Sequence, residues 1–256
     1  QGFVNGVLRA GIRQKEELAG PEQLVDGRPF LNHPRWLCRR WQHQYGTALM
    51  QRICSQNNKE AVTCLRVTHK ISAPLFLEML AQNSISAEMG HYAPNSVMIK
   101  NYQGSVTSLP GFLEGFFQVQ DQSAQLATFL LGPFRKDETY LDCCAGLGGK
   151  TTQLDSLLME LNCSITALEP TPERLRQLKE NLVRTTETGR VVVHNETLER
   201  FSRSCMTRFD KILVDAPCSG TGVAGRHPDI RWNRDEKDIR GFGKRQLSLL
   251  SLAAQL

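Results

Sequence analysis

The sequence predicts an α/β protein, with a doubly wound parallel sheet over residues 111–256 and a small α+β module ahead of it over 31–110. Three observations carry that prediction. From "FFQVQDQSAQLATFLLGP" onward, short strand-like runs alternate with helical ones across short loops, the pattern of a parallel sheet covered on both faces. The first of those strands runs into a glycine-rich turn, "LDCCAGLGGKTT" (141–152), at the strand end where such sheets hold ligands. Earlier in the chain, "VTCLRVTHK" and "SVMIKNY" alternate with the two-residue period of strands, on either side of the helical "PLFLEMLAQN".

Residues 1–12 read as a short amphipathic helix, with Phe3, Val4, Val7, Leu8 and Ile12 at helical spacing. "AGPEQLVDGRPFLNHP" follows as a linker marked by Gly20-Pro21 and Gly27, so residues 1–30 form the end of one unit plus a connection. "HPRWLCRRWQHQYGTALMQRICSQNN" is helical, with Trp36, Leu37, Trp41, Tyr45, Leu49 and Ile53 recurring and arginines on the remaining surface. The two tryptophans read as core anchors before base-stacking platforms. In the second half the expected order is helix from "FFQVQDQSAQLATFLL", strand "TYLDC", helix "TTQLDSLLMEL", strand "SITALE", helix "TPERLRQLKENLVRT", strand "RVVVH", helix "ERFSRS" and strand "FDKILVDAP". Thr171 is placed to cap its helix, Pro172 suits the first turn, and Glu173 suits the dipole.

Composition narrows the function classes. The chain is 40% apolar and 22% charged, and no apolar run approaches the roughly 18 residues of a membrane span. The start lacks the apolar core of a signal peptide, so a cytoplasmic protein without membrane contact is expected. Eight cysteines contain no Cys-x-x-Cys pair, and no metal site is expected. Cys143 and Cys144 read as small buried residues. The net charge of +5 sits in residues 31–110, which carry eight Lys/Arg against three Asp/Glu. Such a segment suits either a solvated surface or attachment to a phosphate backbone, with Arg35, Arg39 and Arg40 as candidate contacts. Nothing calls for an obligate oligomer, and a monomer is expected.

The glycine turn ends like a phosphate loop, but the glycine required five positions before Gly149 is Cys144. A nucleotide-hydrolysing loop is therefore disfavoured. Nor do Gly146, Gly148 and Gly149 have the Gly-x-Gly-x-x-Gly spacing of a dinucleotide turn. Asp142, Glu169 and Asp215 lie at strand ends, and Glu169 follows Gly149 by twenty residues, the distance at which a carboxylate accepts ribose hydroxyls. Asn195-Glu196, after the third strand, is placed to meet an adenine edge. Adenosine without a pyrophosphate points to S-adenosylmethionine.

"VDAPCSGTGVAGRHPDIRW" (214–232) then puts Asp215 and Cys218 beside one another at the fourth strand's end. Cytosine C5 is a poor nucleophile until a thiolate adds at C6 and N3 is protonated or hydrogen-bonded, so a thiol next to a carboxylate suits C5 methylation.

These motifs together resemble those of the bacterial 16S ribosomal RNA cytosine-5 methyltransferases, the Sun/Fmu group. "LDCCAGLGGKTTQL", "ALEPTPERL", "FDKILVDAPCSGTGVAGRHPDIRW" and "FFQVQDQSAQLATFLL" carry the likeness in the catalytic half, and "HPRWLCRRWQHQYG" with "CLRVT" resembles the group's small RNA-binding module. "FVNGVLR" is similar to the end of its helical amino-terminal domain. The resemblance implies a Rossmann-like methyltransferase sheet whose cofactor loop is Cys144, Ala145, Gly146, Leu147, Gly148, Gly149 and Lys150. It puts Glu169 on the ribose, Glu196 or Asn195 near the adenine, and Asp215 between cofactor and target base. The substrate it implies is 16S ribosomal RNA, with Arg226 and His227 as further candidate contacts. The target base would be an unpaired cytosine turned into the cleft.

Two positions depart from the group: Gly146-Leu147 stands where Ala-Pro is common, and Glu169 where Asp is frequent. The resemblance also implies an attacking thiol from a second cysteine, in a Thr-Cys-Ser motif beyond residue 256, with Cys218 assisting product release. On that expectation the chain lacks both an amino-terminal domain and the end of the catalytic domain. The alternatives are a tRNA or protein methyltransferase on the same scaffold, a catalytically silent RNA-binding relative, and, least, a phosphate-loop ATPase.

Overall fold

The computed structural model describes residues 2–14, 24–25, 28–29, 31–100, 102–187 and 189–256. Half of the expected linker, 19–23, 26–27 and 30, lies outside them. The chain forms two compact units, one of residues 1–61 and 219–239, the other of 62–218 and 240–256. Compactness thus divides the chain differently from the expected 1–30, 31–110 and 111–256, for reasons found in two buried arginines.

The first unit holds α1 (Gly2–Arg13), a two-stranded pair β1 (Leu24–Val25) and β2 (Arg28–Pro29), and α2 (Arg35–Asn57). The apolar stripe of α1, with Val4, Val7, Leu8 and Ile12, is exposed. α2 is interrupted at Gly46, whose φ of 80° no helix allows. Leu37, Trp41, Met50 and Cys54 make its core, with Trp36 packed against them, so both tryptophans serve as core anchors. Segment 219–239 joins this unit through Arg231, which is 3% exposed. Its guanidinium donates to Asn58 Oδ1 at 2.7 Å, to the Ala224 carbonyl at 3.2 Å, to the Asn32 carbonyl at 3.3 Å, and to the Asn57 carbonyl.

The second unit contains two sheets. The antiparallel one has the order β4-β5-β3-β6, with β3 (Thr63–Val67), β4 (Ala87–Met89), β5 (Ser96–Ile99) and β6 (Phe117–Val119). Helix α3 (Ala73–Gln82), capped by Ser72, covers one face through Phe76 and Leu80, against Leu65, Val67, Val97, Ile99 and Phe117. The other face is polar and also buried: Cys64, Arg66, Thr68, Ser96, Gln118 and Gln120 are all under 9% exposed. Residues 117–119 were expected to begin a helix. They pair with β3 instead, and α4 (Gln122–Phe129) starts only after Asp121, whose Oδ1 accepts from the Ser123 amide at 2.9 Å.

The parallel sheet has the order β10-β7-β8-β9, with β7 (Thr139–Asp142), β8 (Ser164–Leu168), β9 (Val191–His194) and β10 (Lys211–Leu213). The chain steps outward from β7 to β9 and then returns to place β10 on the other side of β7. The sheet therefore switches direction beside β7, where the glycine turn lies. Helices α5 (Gly149–Leu157), α6 (Pro172–Thr185) and α7 (Leu198–Ser204) follow the pattern read from the sequence, and α8 (Glu236–Ala253) comes after β10. Thr171 starts α6 without a side-chain cap; Glu169 takes the Thr171 amide instead, Oε1 accepting at 2.7 Å. Among the described residues no helix is long and apolar enough to cross a membrane, and no three His, Cys, Asp or Glu side chains converge as metal ligands do.

Candidate active site

The carboxyl ends of β7, β8 and β10 open onto a cleft of about 610 Å³ in the second unit. Cys144, Ala145, Gly146, Leu147, Gly149 and Lys150 line one side, Glu169 another, and Asp215, Pro217 and Cys218 a third. Of the twelve residues expected at this site, Cys218 included, nine line the cleft, and Gly148, Asn195 and Glu196 do not.

The turn is built from its backbone. The Ala145 amide donates to the Leu168 carbonyl at 3.0 Å, and the Gly148 amide to the Ala145 carbonyl at 2.9 Å. Gly148 does not line the cleft. It sits behind the turn with φ 86°, where a Cβ would lie 2.5 Å from the buried Leu178 side chain, so only glycine fits. Gly146, at φ 57°, is left-handed as well but has open space around it.

Asp142, just before the turn, is 1% exposed. Its Oδ2 accepts from the Thr151 hydroxyl at 2.8 Å and its Oδ1 from the Cys144 amide at 3.2 Å. Burial pushes its carboxyl up to about 6, and the charge of Asp215 adds to the shift, while those two hydrogen bonds oppose it. Lys150 Nζ meets Asp215 Oδ2 at 2.6 Å, joining the turn to the end of β10. Cys218 is exposed, whereas Cys143 is buried and Cys144 half-buried. Burial and the carboxylates of Asp142, Asp215, Glu169 and Glu199 push the Cys144 thiol up to about 11, leaving it a poor nucleophile at neutral pH. Gln246 on α8 donates to the Pro217 carbonyl at 3.0 Å and steadies the Pro-Cys corner.

Glu169 is 4% exposed and lines the cleft; one of its oxygens is taken by the Thr171 amide, which leaves the other for a ligand. Asn195 and Glu196 do not line the cleft. Asn195 Nδ2 donates to the Glu169 carbonyl at 2.9 Å, and Glu196 turns to His194 at 3.4 Å and Arg200 at 3.9 Å. Thr197, Leu198 and Glu199 occupy the wall in their place, because the chain after β9 turns inward two residues later than the sequence suggested. Gln120, Ala124, Arg174 and Arg245 also line the cleft, and no local signal in the sequence marks them.

The expected RNA contacts lie in the first unit. Arg35, Arg39, Arg40, Arg226 and His227 are exposed there, and Arg39 and Arg40 line a hollow of about 400 Å³ with Trp36, His43, Gln44 and Glu236. His227 leads into the short helical turn Pro228–Arg231 without a side-chain cap.

With this geometry in view, comparison with known proteins is decisive for the family. Residues 128–256 match the model of the 16S rRNA methyltransferase RsmB/F family, and residues 33–106 match the ferredoxin-like domain of RsmF/B-like methyltransferases. The chain belongs to the RsmB/F family. Ribosomal RNA small subunit methyltransferase B of Pasteurella multocida is 37% identical over 257 residues, covering 98% of this chain and 55% of the relative. The protein of that name from Cronobacter sakazakii is 36% identical over 253 residues, covering 98% of this chain and 57% of the relative. The chain therefore spans a little over half the length of the curated relatives it matches. Among solved structures, PH0851 superposes with a TM-score of 0.83 at 25% identity, covering 93% of this chain and 54% of that one. NSun6 from Pyrococcus horikoshii, solved with SFG, gives 0.76 at 18% identity over 86% of this chain and 79% of that one, and shares the fold. Membership in RsmB/F accounts for both sheets: the ferredoxin-like match covers most of the antiparallel one, and the RsmB/F match covers the parallel one and its cleft apart from Gln120 and Ala124.

Proposed function

We propose that this RsmB/F chain binds S-adenosylmethionine in the 610 Å³ cleft and takes part in methylating C5 of a cytosine in 16S ribosomal RNA. One observation supports this best: a glycine turn, a buried ribose-type carboxylate, the Lys150–Asp215 pair and an exposed thiol face the same cleft. The cleft's residues fit that cofactor. The unshared oxygen of Glu169 suits a ribose diol, Leu198 and Thr197 suit an adenine, and the turn from Ala145 to Gly149 presents backbone with little side chain in the way. The relatives named for small-subunit rRNA and the neighbour solved with SFG agree with this assignment. When bound, the cofactor supplies an electrophilic methyl group on a sulfonium.

The chain's own residues then divide the work. Asp215, in contact with Lys150, would accept from cytosine N3 once that nitrogen has taken a proton from solvent, which favours addition of a thiolate at C6 and makes C5 nucleophilic. After methyl transfer the C5 proton leaves to a base and the C6–S bond breaks, returning the thiolate. Cys218, at the cleft wall beside Asp215, assists that release, and the attacking thiol comes from a second cysteine outside this sequence. Cys143 is buried, and the Cys144 thiol, though on the cleft wall, is pushed up to about 11, so neither substitutes. The exposed arginines of α2 hold the RNA by phosphate contacts.

Calorimetric titration with S-adenosylhomocysteine and, separately, Mg²⁺-ATP tests the cofactor assignment, with Asp215→Asn as a control for the cleft. Binding of the first and silence from the second is expected. Heat from ATP alone would sink the assignment. Methyl transfer to 16S rRNA by the chain extended to full relative length, followed by nucleoside analysis, tests the position; a labelled base other than 5-methylcytosine would overturn it.

A further inference from the structure

The polar face of the antiparallel sheet raises a question that the fold alone does not answer. A small α+β module that binds RNA could present such a face to solvent, yet here Arg66, Thr68, Ser96, Gln118 and Gln120 on it are buried, and Glu88 at the β4 edge is partly exposed. At its centre, on β3, Arg66 is 3% exposed, and among the described residues its guanidinium meets only neutral oxygens: Gln120 Oε1 at 2.6 Å, Thr152 Oγ1 at 2.7 Å and the Gly149 carbonyl at 3.4 Å. A buried cation without a charged partner is costly, and burial lowers the arginine to about 10, still protonated at neutral pH.

What the cation organises is the glycine turn. Thr152 Oγ1 accepts from Arg66, so its own hydrogen is free to donate, and it does so to the Gly148 carbonyl at 2.8 Å. The Thr152 amide donates to the same carbonyl at 2.8 Å. Gly148, the left-handed residue on which the turn depends, is thus held by two donors, one of them polarised by the arginine. Gln120, oriented by Arg66 and by Gln153 (Nε2 to Oε1, 2.9 Å), lines the cleft, and its Cγ and Cδ lie 3.9 Å from where a Cβ on Gly149 would be.

We propose that Arg66 is a positioning residue for the cofactor turn: from the central strand of the small module it sets the backbone at Gly148–Gly149 through Thr152 and orients Gln120 in the cleft wall. The sheet's polar face is then a support for the cofactor site and not a platform for RNA. The consequence for cofactor affinity rests on the function proposed above, whereas the consequence for the turn's rigidity does not.

The test compares Arg66→Met and Arg66→Lys with Thr68→Val in the 256-residue chain. Thr68 lies on the same buried face and donates to the Gly115 carbonyl at 2.8 Å, without touching the turn. Hydrogen exchange is read at the Gly148 and Thr152 amides, S-adenosylhomocysteine affinity by calorimetry, and global stability by urea unfolding. Arg66→Lys keeps the charge but loses the fork, and serves if Arg66→Met does not fold. We expect exchange at the two turn amides at least tenfold faster in the Arg66 variants. Cofactor affinity should fall at least tenfold, and Thr68→Val, matched for loss of global stability, should leave both within twofold. Turn amides that exchange no faster in Arg66→Lys than in Thr68→Val would overturn the proposal. If the unmodified chain binds no S-adenosylhomocysteine, the cofactor assignment fails, while the exchange comparison still decides the role of Arg66.

Discussion

Replacing the turn's three glycines by alanine, one at a time, should give three different costs although the residues look alike in the sequence. At Gly148 the left-handed φ of 86° costs an L-residue about 1 kcal/mol. The new methyl would also lie 2.5 Å from Leu178 Cδ1, and Leu178 is fully buried beside Ala145, Ala167 and Leu182. Overpacking of that kind adds roughly 1–3 kcal/mol, for a total of roughly 2–4 kcal/mol. At Gly146 the φ of 57° carries the same backbone cost but the space is open, so about 1 kcal/mol is expected. At Gly149 the backbone is helical and the nearest atoms, of Gln120, are 3.9 Å away. Alanine there should lie within about 0.5 kcal/mol of the parent, or above it, because alanine restricts the unfolded chain.

The assay is urea unfolding at constant m-value, followed by far-UV circular dichroism. Tryptophan fluorescence would miss the effect, because Trp36, Trp41 and Trp232 all belong to the first unit. Gly148→Ala within about 0.5 kcal/mol of Gly146→Ala would refute the steric argument. Gly149→Ala as damaging as Gly148→Ala would refute the geometry of the turn.

Two further outcomes follow from the same cleft. Asp142 holds its proton to about pH 6 in the folded chain against an ordinary value of 3.8, so its contribution to stability is full below the lower value and lost as pH rises through the upper one. The whole effect is roughly 3 kcal/mol. Urea unfolding at pH about 4 and about 7 should show Asp142→Asn gaining on the parent at the higher pH; a pH-independent difference would mean that Asp142 ionises alike in both states. Of the eight cysteines Cys218 alone is exposed, so limiting iodoacetamide should label it first, and Cys218→Ser should abolish the fast phase while unfolding stays within about 0.5 kcal/mol of the parent. Fast labelling that survives the substitution would show that another thiol opens readily.

Much of the catalytic half was legible because its signals are local. The short strand-like runs "SITAL" and "VVVH", the glycines after β7 and the Pro-Cys after β10 each act within a few residues, and the structure has a strand or a turn at every one of them. The misreadings fall where a distant partner decides. Residues 117–119 read as helical but gain more by pairing with β3, about fifty residues earlier. Asn195 and Glu196 stand at the expected distance after a strand, yet their side chains are claimed by the Glu169 carbonyl, His194 and Arg200, and Thr197 to Glu199 take the cleft wall.

By itself the sequence determined the class of sheet, the place of the turn, the carboxylate at Glu169 and the pairing of Asp215 with Cys218 at one strand end. Each depends on order and spacing along the chain, which a sequence states directly. Only the tertiary structure decided which glycine carries the strain, since that depends on Leu178 packing behind Gly148. It also decided that Arg66 serves the turn and not the solvent, and that Arg231 ties segment 219–239 to α2. Those hydrogen bonds join residues 86 and 173 positions apart, and an arginine's neighbours in sequence carry no trace of acceptors that folding brings to it from so far away.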